Sequence, residues 1–228
     1  MSHRPKGRAP KNYGYTAPEP ESESKSFAVW IVLSLLAVAV IAAIVIAAVN
    51  DSGGDDEEAF GATTQSVRVS GESLPPMSGS GSSDPAIGMT IPSVAGFEAD
   101  NSPVSIKPGS PMLVAGVAHW CPHCQAEVPL LVDWREAGII PDSVEVIGVS
   151  TGVDETRGNY PPASWLAQEG WSDPVLVDNE AGDAFAALGG QSFPYLLAVD
   201  ASGTVVGRTS GEAPVEEVQA LVAKALGT

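Results

Sequence analysis

The feature that most restricts the fold is a pair of cysteines, Cys121 and Cys124, placed where a predicted strand runs into a predicted helix. Met112 to Ala118 is an apolar run of strand length, and Pro122 suits the first turn of a helix, which needs no N–H donor. Two residues between the cysteines bring their sulfurs close enough for a disulfide, and the helix N-terminus stabilises a thiolate. The pair predicts a redox-active disulfide, with Cys121 as the exposed nucleophile and Cys124 as a deeper resolving thiol.

The segment after Pro111 alternates apolar strands with amphipathic helices, which predicts a βαβ arrangement with parallel strands. A helix is expected from the cysteines to about Ala137, ended by Gly138. The other predicted strands are 144–150, 174–178 and a hairpin of 195–200 with 204–209, and the other predicted helices begin at 161 and cover 181–188 and 214–226.

An uninterrupted apolar run, Phe27 to Val49, carries no charge and only one polar side chain, Ser34. Its 23 residues span a ~30 Å hydrocarbon core as a helix. The run exceeds the roughly 7–15 apolar residues of a cleavable signal peptide, so it predicts a single uncleaved transmembrane helix. Five basic residues precede it, and five acidic residues with no basic one occupy Asp51 to Glu58, which places the N-terminus in the cytoplasm.

The rest of the chain falls into segments of different composition. Residues 1–26 and 50–85 are rich in Pro, Gly, Ser and charge without hydrophobic periodicity, which predicts a disordered cytoplasmic tail and a flexible acidic linker. Residues 86–228 are the predicted globular domain. A short apolar alternation from Val67 to Val69 favours an added strand only weakly.

The formal net charge of −17 argues against a nucleic-acid-binding function, because that function needs clustered Lys and Arg. Everything after the predicted span is expected to face an oxidising, extracytoplasmic compartment, where a cysteine pair can cycle through disulfides. The protein is therefore expected at the cell membrane, with its globular domain outside the cytoplasm.

The motif around the cysteines resembles the thioredoxin superfamily, and within it the membrane-anchored TlpA/ResA-like thiol–disulfide oxidoreductases. The resemblance covers roughly residues 86–228. It implies a thioredoxin-like α/β fold, with a central mixed β-sheet flanked by helices, following the transmembrane helix. It also implies protein thiol and disulfide substrates, a separate redox partner and no cofactor. The matching residues are Trp120-Cys121-Pro122-His123-Cys124, Glu127, Pro129 and Phe193-Pro194.

The resemblance assigns roles to further residues. It makes the cysteine pair catalytic, places Trp120 at the active-site rim, and gives Pro194 a cis peptide bond that faces the disulfide. It matches Glu127 to a buried acid that exchanges a proton with Cys124, although an early-turn glutamate can also be placed there by the helix dipole alone. Where cytoplasmic thioredoxins hold a buried aspartate, this chain has Ala115.

The dipeptide Pro122-His123 is the one found in DsbA-type oxidases, and His123 can stabilise the Cys121 thiolate and so make the disulfide more oxidising. The sequence around this dipeptide, in contrast, resembles members of the superfamily that act as reductants. The direction of electron flow therefore stays open. The alternative function is a copper(I) or other metal-binding chaperone, with two thiolates, His119 and His123 as soft ligands. No histidine follows His123 and there are no further cysteines, so no metal site is predicted.

Overall fold

The mixed β-sheet that the sequence predicts is present in a computed structural model, which describes residues 62–77 and 84–228. The predicted tail (1–26) and the predicted membrane span (27–49) lie outside the described residues. Within the two described ranges, no helix has both the length and the apolar character needed to cross a bilayer.

The described part contains eight strands and four helices. The strands are β1 (Arg68–Ser70), β2 (Ser93–Phe97), β3 (Pro103–Ile106), β4 (Met112–Val117), β5 (Glu145–Ser150), β6 (Val175–Val177), β7 (Tyr195–Val199) and β8 (Val205–Ser210). The helices are α1 (Pro122–Glu136), α2 (Pro162–Gln168), α3 (Asp183–Ala187) and α4 (Val215–Leu226).

All eight strands belong to one sheet with the order β1-β2-β6-β5-β4-β7-β8, and β3 pairs with β2. Strands β4, β5 and β6 run parallel, which confirms the parallel βαβ arrangement expected for this part of the chain. Strand β7 runs antiparallel to β4, and β8 antiparallel to β7, so the sheet is mixed. The thioredoxin-like α/β fold is thereby confirmed.

The central strand β4 explains where the core lies. All of its residues are buried, as expected for a strand with parallel and antiparallel neighbours and covered faces. Successive side chains point to opposite faces. Met112 and Val114 therefore join one apolar cluster, and Leu113 and Ala115 join another that includes Leu131 of α1. Strand β4 is thus fixed on both faces, and it ends at the cysteine motif.

For the three helices whose start and end were both predicted, the observed bounds lie within two residues of the predicted ones. Pro122 and Pro162 stand in the first turns of α1 and α2, where a missing N–H costs nothing. Helix α4 places Val218, Leu221 and Val222 in the core and leaves its acidic first turn exposed.

The ordered domain begins before residue 86, the predicted boundary. Strand β1 lies within the predicted flexible linker (50–85), pairs antiparallel with β2, and coincides with the weak alternation from Val67 to Val69. Farther along the linker, the Asp84 carboxylate accepts a 2.6 Å hydrogen bond from Nε of Arg208, whose side chain is fully buried. This hydrogen bond lowers the pKa of Asp84. Part of the linker is therefore fixed to the domain by a sheet pairing and an ion pair.

Candidate active site

The first cysteine lies at the junction between β4 and α1. Cys121 is the N-cap residue of α1, with an extended backbone (φ −77°, ψ 119°), and Pro122 follows in the first helical turn. The Cys121 N–H donates to the Ala118 carbonyl at 3.0 Å, which closes the turn that leaves the strand. Cys121 therefore stands at the N-terminal end of a 15-residue helix, where the dipole favours a negative charge.

Both cysteines are free thiols, and Cys121 is more buried than the sequence predicts. Cys121 retains 6% of its exposure and Cys124 none, so the expectation of an exposed Cys121 needs correction. The physical reason is that Trp120 and Phe193 pack against the apolar cluster that contains both cysteines. The order of depth is as predicted. Burial raises the pKa of the Cys124 thiol well above its usual range, so this thiol needs a base before it can attack.

A carboxyl group lies one helical turn beyond the second cysteine. Glu127 is fully buried, and its carboxylate accepts a hydrogen bond from the Ala213 N–H at 3.2 Å. Burial, and then the charges of Glu212 and Glu217, raise the pKa of Glu127 to about 7, although the Ala213 hydrogen bond opposes the rise. A carboxyl group placed only to suit the helix dipole would be exposed. Complete burial with a near-neutral pKa favours the proton-transfer interpretation.

The Phe193–Pro194 loop, which the resemblance places opposite the disulfide, lies against Cys121. The Phe193–Pro194 peptide bond is cis, as the resemblance implies, and the Phe193 carbonyl oxygen is 3.9 Å from the Cys121 sulfur. The ring of Phe193 packs on Phe185 at a centroid distance of 4.8 Å and meets Trp120 edge-on at 6.0 Å. These aromatic contacts hold the Phe193–Pro194 loop beside the first cysteine.

Trp120 forms the rim of the site, as predicted, and has two contacts that the sequence does not reveal. Its indole Nε1 donates to the Gly152 carbonyl at 2.6 Å. The guanidinium of Arg157 lies over its ring, 4.3 Å from the centroid, within the range of a cation–π interaction. The indole is therefore held on its edge and on its face.

His119, which the sequence offers only as a ligand in the metal-binding alternative, is buried and ties a loop to the active-site motif. Its Nδ1 lies 2.8 Å from the Gly158 carbonyl, and its Nε2 accepts from the Asp154 N–H at 3.2 Å. These partners require the proton on Nδ1. The two partner groups lie 35 and 39 residues away along the chain, so no local sequence pattern predicts these contacts.

His123, between the two cysteines, points away from the core toward a carboxylate that the sequence did not single out. Its Nδ1 lies 2.6 Å from Oε1 of Glu212, and both side chains are at least half exposed. Glu212 is 89 residues away along the chain. The fold therefore brings a second carboxylate, Glu212, to the active-site motif in addition to Glu127.

The metal-binding alternative receives no support from the arrangement of these histidines. Both ring nitrogens of His119 are bonded to backbone groups, and His123 is paired with Glu212. In the described ranges, no group of three or more His, Cys, Asp or Glu side chains is arranged to hold a metal ion.

The arrangement supplies what thiol–disulfide exchange requires. One thiol lies at a helix N-terminus, and the second is buried one turn away with a carboxyl group one turn beyond it. The first thiol can form a mixed disulfide, and the second, once deprotonated, can attack it.

Comparison with known proteins agrees with this geometry. A family model described as Redoxin matches residues 86–224, which is more than half of the chain. No curated protein gives a significant match.

Two similar solved structures share the fold. One is a thiol:disulfide interchange protein of the thioredoxin family from Chlorobium tepidum TLS, 23% identical, with a TM-score of 0.50 over 60% of this chain and 96% of that chain. The other is a thiol:disulfide interchange protein from Bacteroides sp., 20% identical, with a TM-score of 0.50 over 63% of this chain and 91% of that chain. At these identities the similarity shows the fold alone.

Proposed function

Because this chain belongs to the Redoxin family, as a thioredoxin-like protein-disulfide oxidoreductase, we propose that it exchanges disulfides with protein substrates outside the cytoplasm through Cys121 and Cys124. The observation that carries the proposal is the pair of free thiols at the start of α1. Cys121 lies at the helix N-terminus beside the Phe193–Pro194 loop, and Cys124 is fully buried.

The reaction proceeds in two steps when the dithiol reduces a substrate disulfide. The Cys121 thiolate attacks one substrate sulfur, the substrate S–S bond breaks, and the other substrate sulfur leaves as a thiolate that takes up a proton. Cys124 then gives its proton to Glu127 and attacks the Cys121 sulfur. The mixed disulfide breaks and releases the remaining substrate sulfur as a thiolate that takes up a proton. The Cys121–Cys124 bond forms, and two electrons have passed from the protein to the substrate. The reverse sequence oxidises a substrate dithiol.

Two features of the sequence support the proposed location. The apolar run from Phe27 to Val49 has the length of a membrane span, and its basic residues precede it. In this proposal the domain is tethered to the outer face of the membrane, where protein substrates and a redox partner reach it. The direction of exchange is then set by the reduction potentials of those partners relative to the cysteine pair.

One experiment tests both the chemistry and the location. Right-side-out vesicles that carry the full reduced chain are washed and given a membrane-impermeant, dye-labelled disulfide that becomes fluorescent when it is cleaved. Fluorescence is expected with intact vesicles, because the cysteines face outward, and not with vesicles that carry Cys121→Ser. Cleavage only after detergent lysis would contradict the location, and no cleavage even after lysis would contradict the exchange activity.

A further inference from the structure

One short segment contacts three of the predicted site residues. It is the connection between β8 and α4, residues 211–214, which the sequence does not mark as part of the site. Its contacts are from the Gly211 N–H to the Pro194 carbonyl at 2.9 Å, from Glu212 to His123 at 2.6 Å, and from the Ala213 N–H to Glu127 at 3.2 Å.

We propose that Glu212 is a positioning residue that lowers the oxidising power of the Cys121–Cys124 disulfide. It does so by holding the His123 ring and placing a negative charge beside it. This inference rests on the proposed function and names the residue that tunes it. The equilibrium concerned is the protein disulfide plus two glutathione thiols against the protein dithiol plus glutathione disulfide. Two electrons pass to the protein, its S–S bond breaks, and one glutathione S–S bond forms.

The charge balance gives the direction of the effect. A positively charged imidazole between the cysteines stabilises the Cys121 thiolate, so it favours the reduced protein and makes the disulfide more oxidising. The Glu212 carboxylate places a full negative charge next to that ring, 2.6 Å from its Nδ1. An imidazole carries at most one positive charge, so the pair carries no net positive charge with Glu212 present, whereas without Glu212 no carboxylate offsets the ring. Glu212 therefore weakens the stabilisation of the thiolate.

Geometry adds to the same effect. The Nδ1 contact fixes the ring of His123 on Glu212, with the His123 side chain 67% exposed. Without the carboxylate this contact no longer restrains the ring. Among the described residues, Glu127 on α1 is also influenced by Glu217 on α4, and Glu212 and Glu217 both raise the pKa of Glu127. Removal of Glu212 therefore leaves less negative charge around both cysteines.

The test is Glu212→Gln in the full chain, solubilised in a mild detergent and equilibrated with glutathione buffers at pH 7. The equilibrium constant toward the protein dithiol is expected to rise about two- to fivefold, which is the range for one exposed ion pair. Since tenfold corresponds to about 30 mV, the potential should rise by roughly 10 to 20 mV. Alkylation of Cys121 by iodoacetamide should become faster, because less negative charge opposes the reacting thiolate, and a merely structural role would not produce this pair of changes.

Two controls make the result specific. Glu216→Gln removes the same charge from an exposed glutamate in the first turn of α4 and should give a smaller shift. In a His123→Gln background, the effect of Glu212→Gln should fall to that of the Glu216 control, as a double-mutant cycle would show. The inference is overturned if Glu212→Gln shifts the equilibrium no more than Glu216→Gln, shifts it the other way, or keeps its full effect without His123. Failure of the unmodified protein to equilibrate with glutathione would instead contradict the proposed function.

Discussion

Replacement of Cys121 by serine is expected to lower the rate of disulfide exchange by at least about 10³-fold, because it removes the nucleophile that forms the mixed disulfide. The remaining thiol, Cys124, cannot substitute for it. Cys124 has no exposed surface, and burial raises the pKa of its thiol. The rate is measured with a dye-labelled disulfide on the full chain in detergent.

The same substitution three residues farther along should give a different result. Cys124→Ser keeps the attacking thiol but cannot resolve the mixed disulfide, so covalent complexes with substrate should accumulate. Non-reducing gels and intact mass spectrometry detect them. The two variants serve as controls for each other, since each exchanges one sulfur for oxygen in the same helix turn. Complexes that accumulate with Cys121→Ser, and not with Cys124→Ser, would reverse the assigned roles.

Glu127→Gln is expected to slow the resolving step about 10²-fold at pH 8, because glutamine cannot accept the Cys124 proton. In the unmodified protein the resolving rate should rise with pH through about 7, where Glu127 loses its own proton. The variant should lack this inflection. Single-turnover rates from pH 5 to 9 measure both features, and Glu136→Gln, an exposed change on the same helix, is the matched control.

The same carboxyl group should make stability depend on pH. The pKa of Glu127 is about 7 in the folded protein against 4.5 as its ordinary value, so the folded state holds a proton that the unfolded state has lost between these values. The free energy of unfolding should therefore fall as the pH rises from about 4.5 to about 7, by on the order of 3 kcal/mol. Glu127→Gln should remove this fall. Equal pH dependence of urea unfolding in both proteins, together with unchanged exchange rates, would contradict the role of Glu127.

The central part of the fold was predictable because its signals are local. Strand β4 is a continuous apolar run, and Pro122 marks the start of α1. Strands β2 and β3 were not predicted. In β2 only Val94 and Gly96 are buried, and β3 begins with Pro103, so neither segment has the apolar run of a central strand. Their pairing to each other and to β6 is a property of the tertiary structure.

The residues of the candidate site show the same difference between local signals and long-range contacts. Glu127 could be proposed from sequence because it lies one helical turn from Cys124 and fits a known pattern. Glu212 and the partners of His119 could not be proposed, because the contacts join residues 35 to 89 positions apart. The burial of Cys121 was missed for a related reason, since Phe193, whose carbonyl oxygen lies 3.9 Å from the Cys121 sulfur, is 72 residues farther along the chain. Long-range packing determines these features, and a motif does not encode it.

The central claim, that Cys121 and Cys124 form a reversible disulfide that exchanges electrons with thiols, is tested most directly by the reduction potential of the full chain in glutathione buffers. We predict a single two-electron transition with a midpoint between about −270 mV, as in thioredoxin, and about −120 mV, as in a strong disulfide donor. A value near the lower limit would make the protein a reductant, and one near the upper limit an oxidant of its substrates. A thiol state that does not change across this range would contradict the claim.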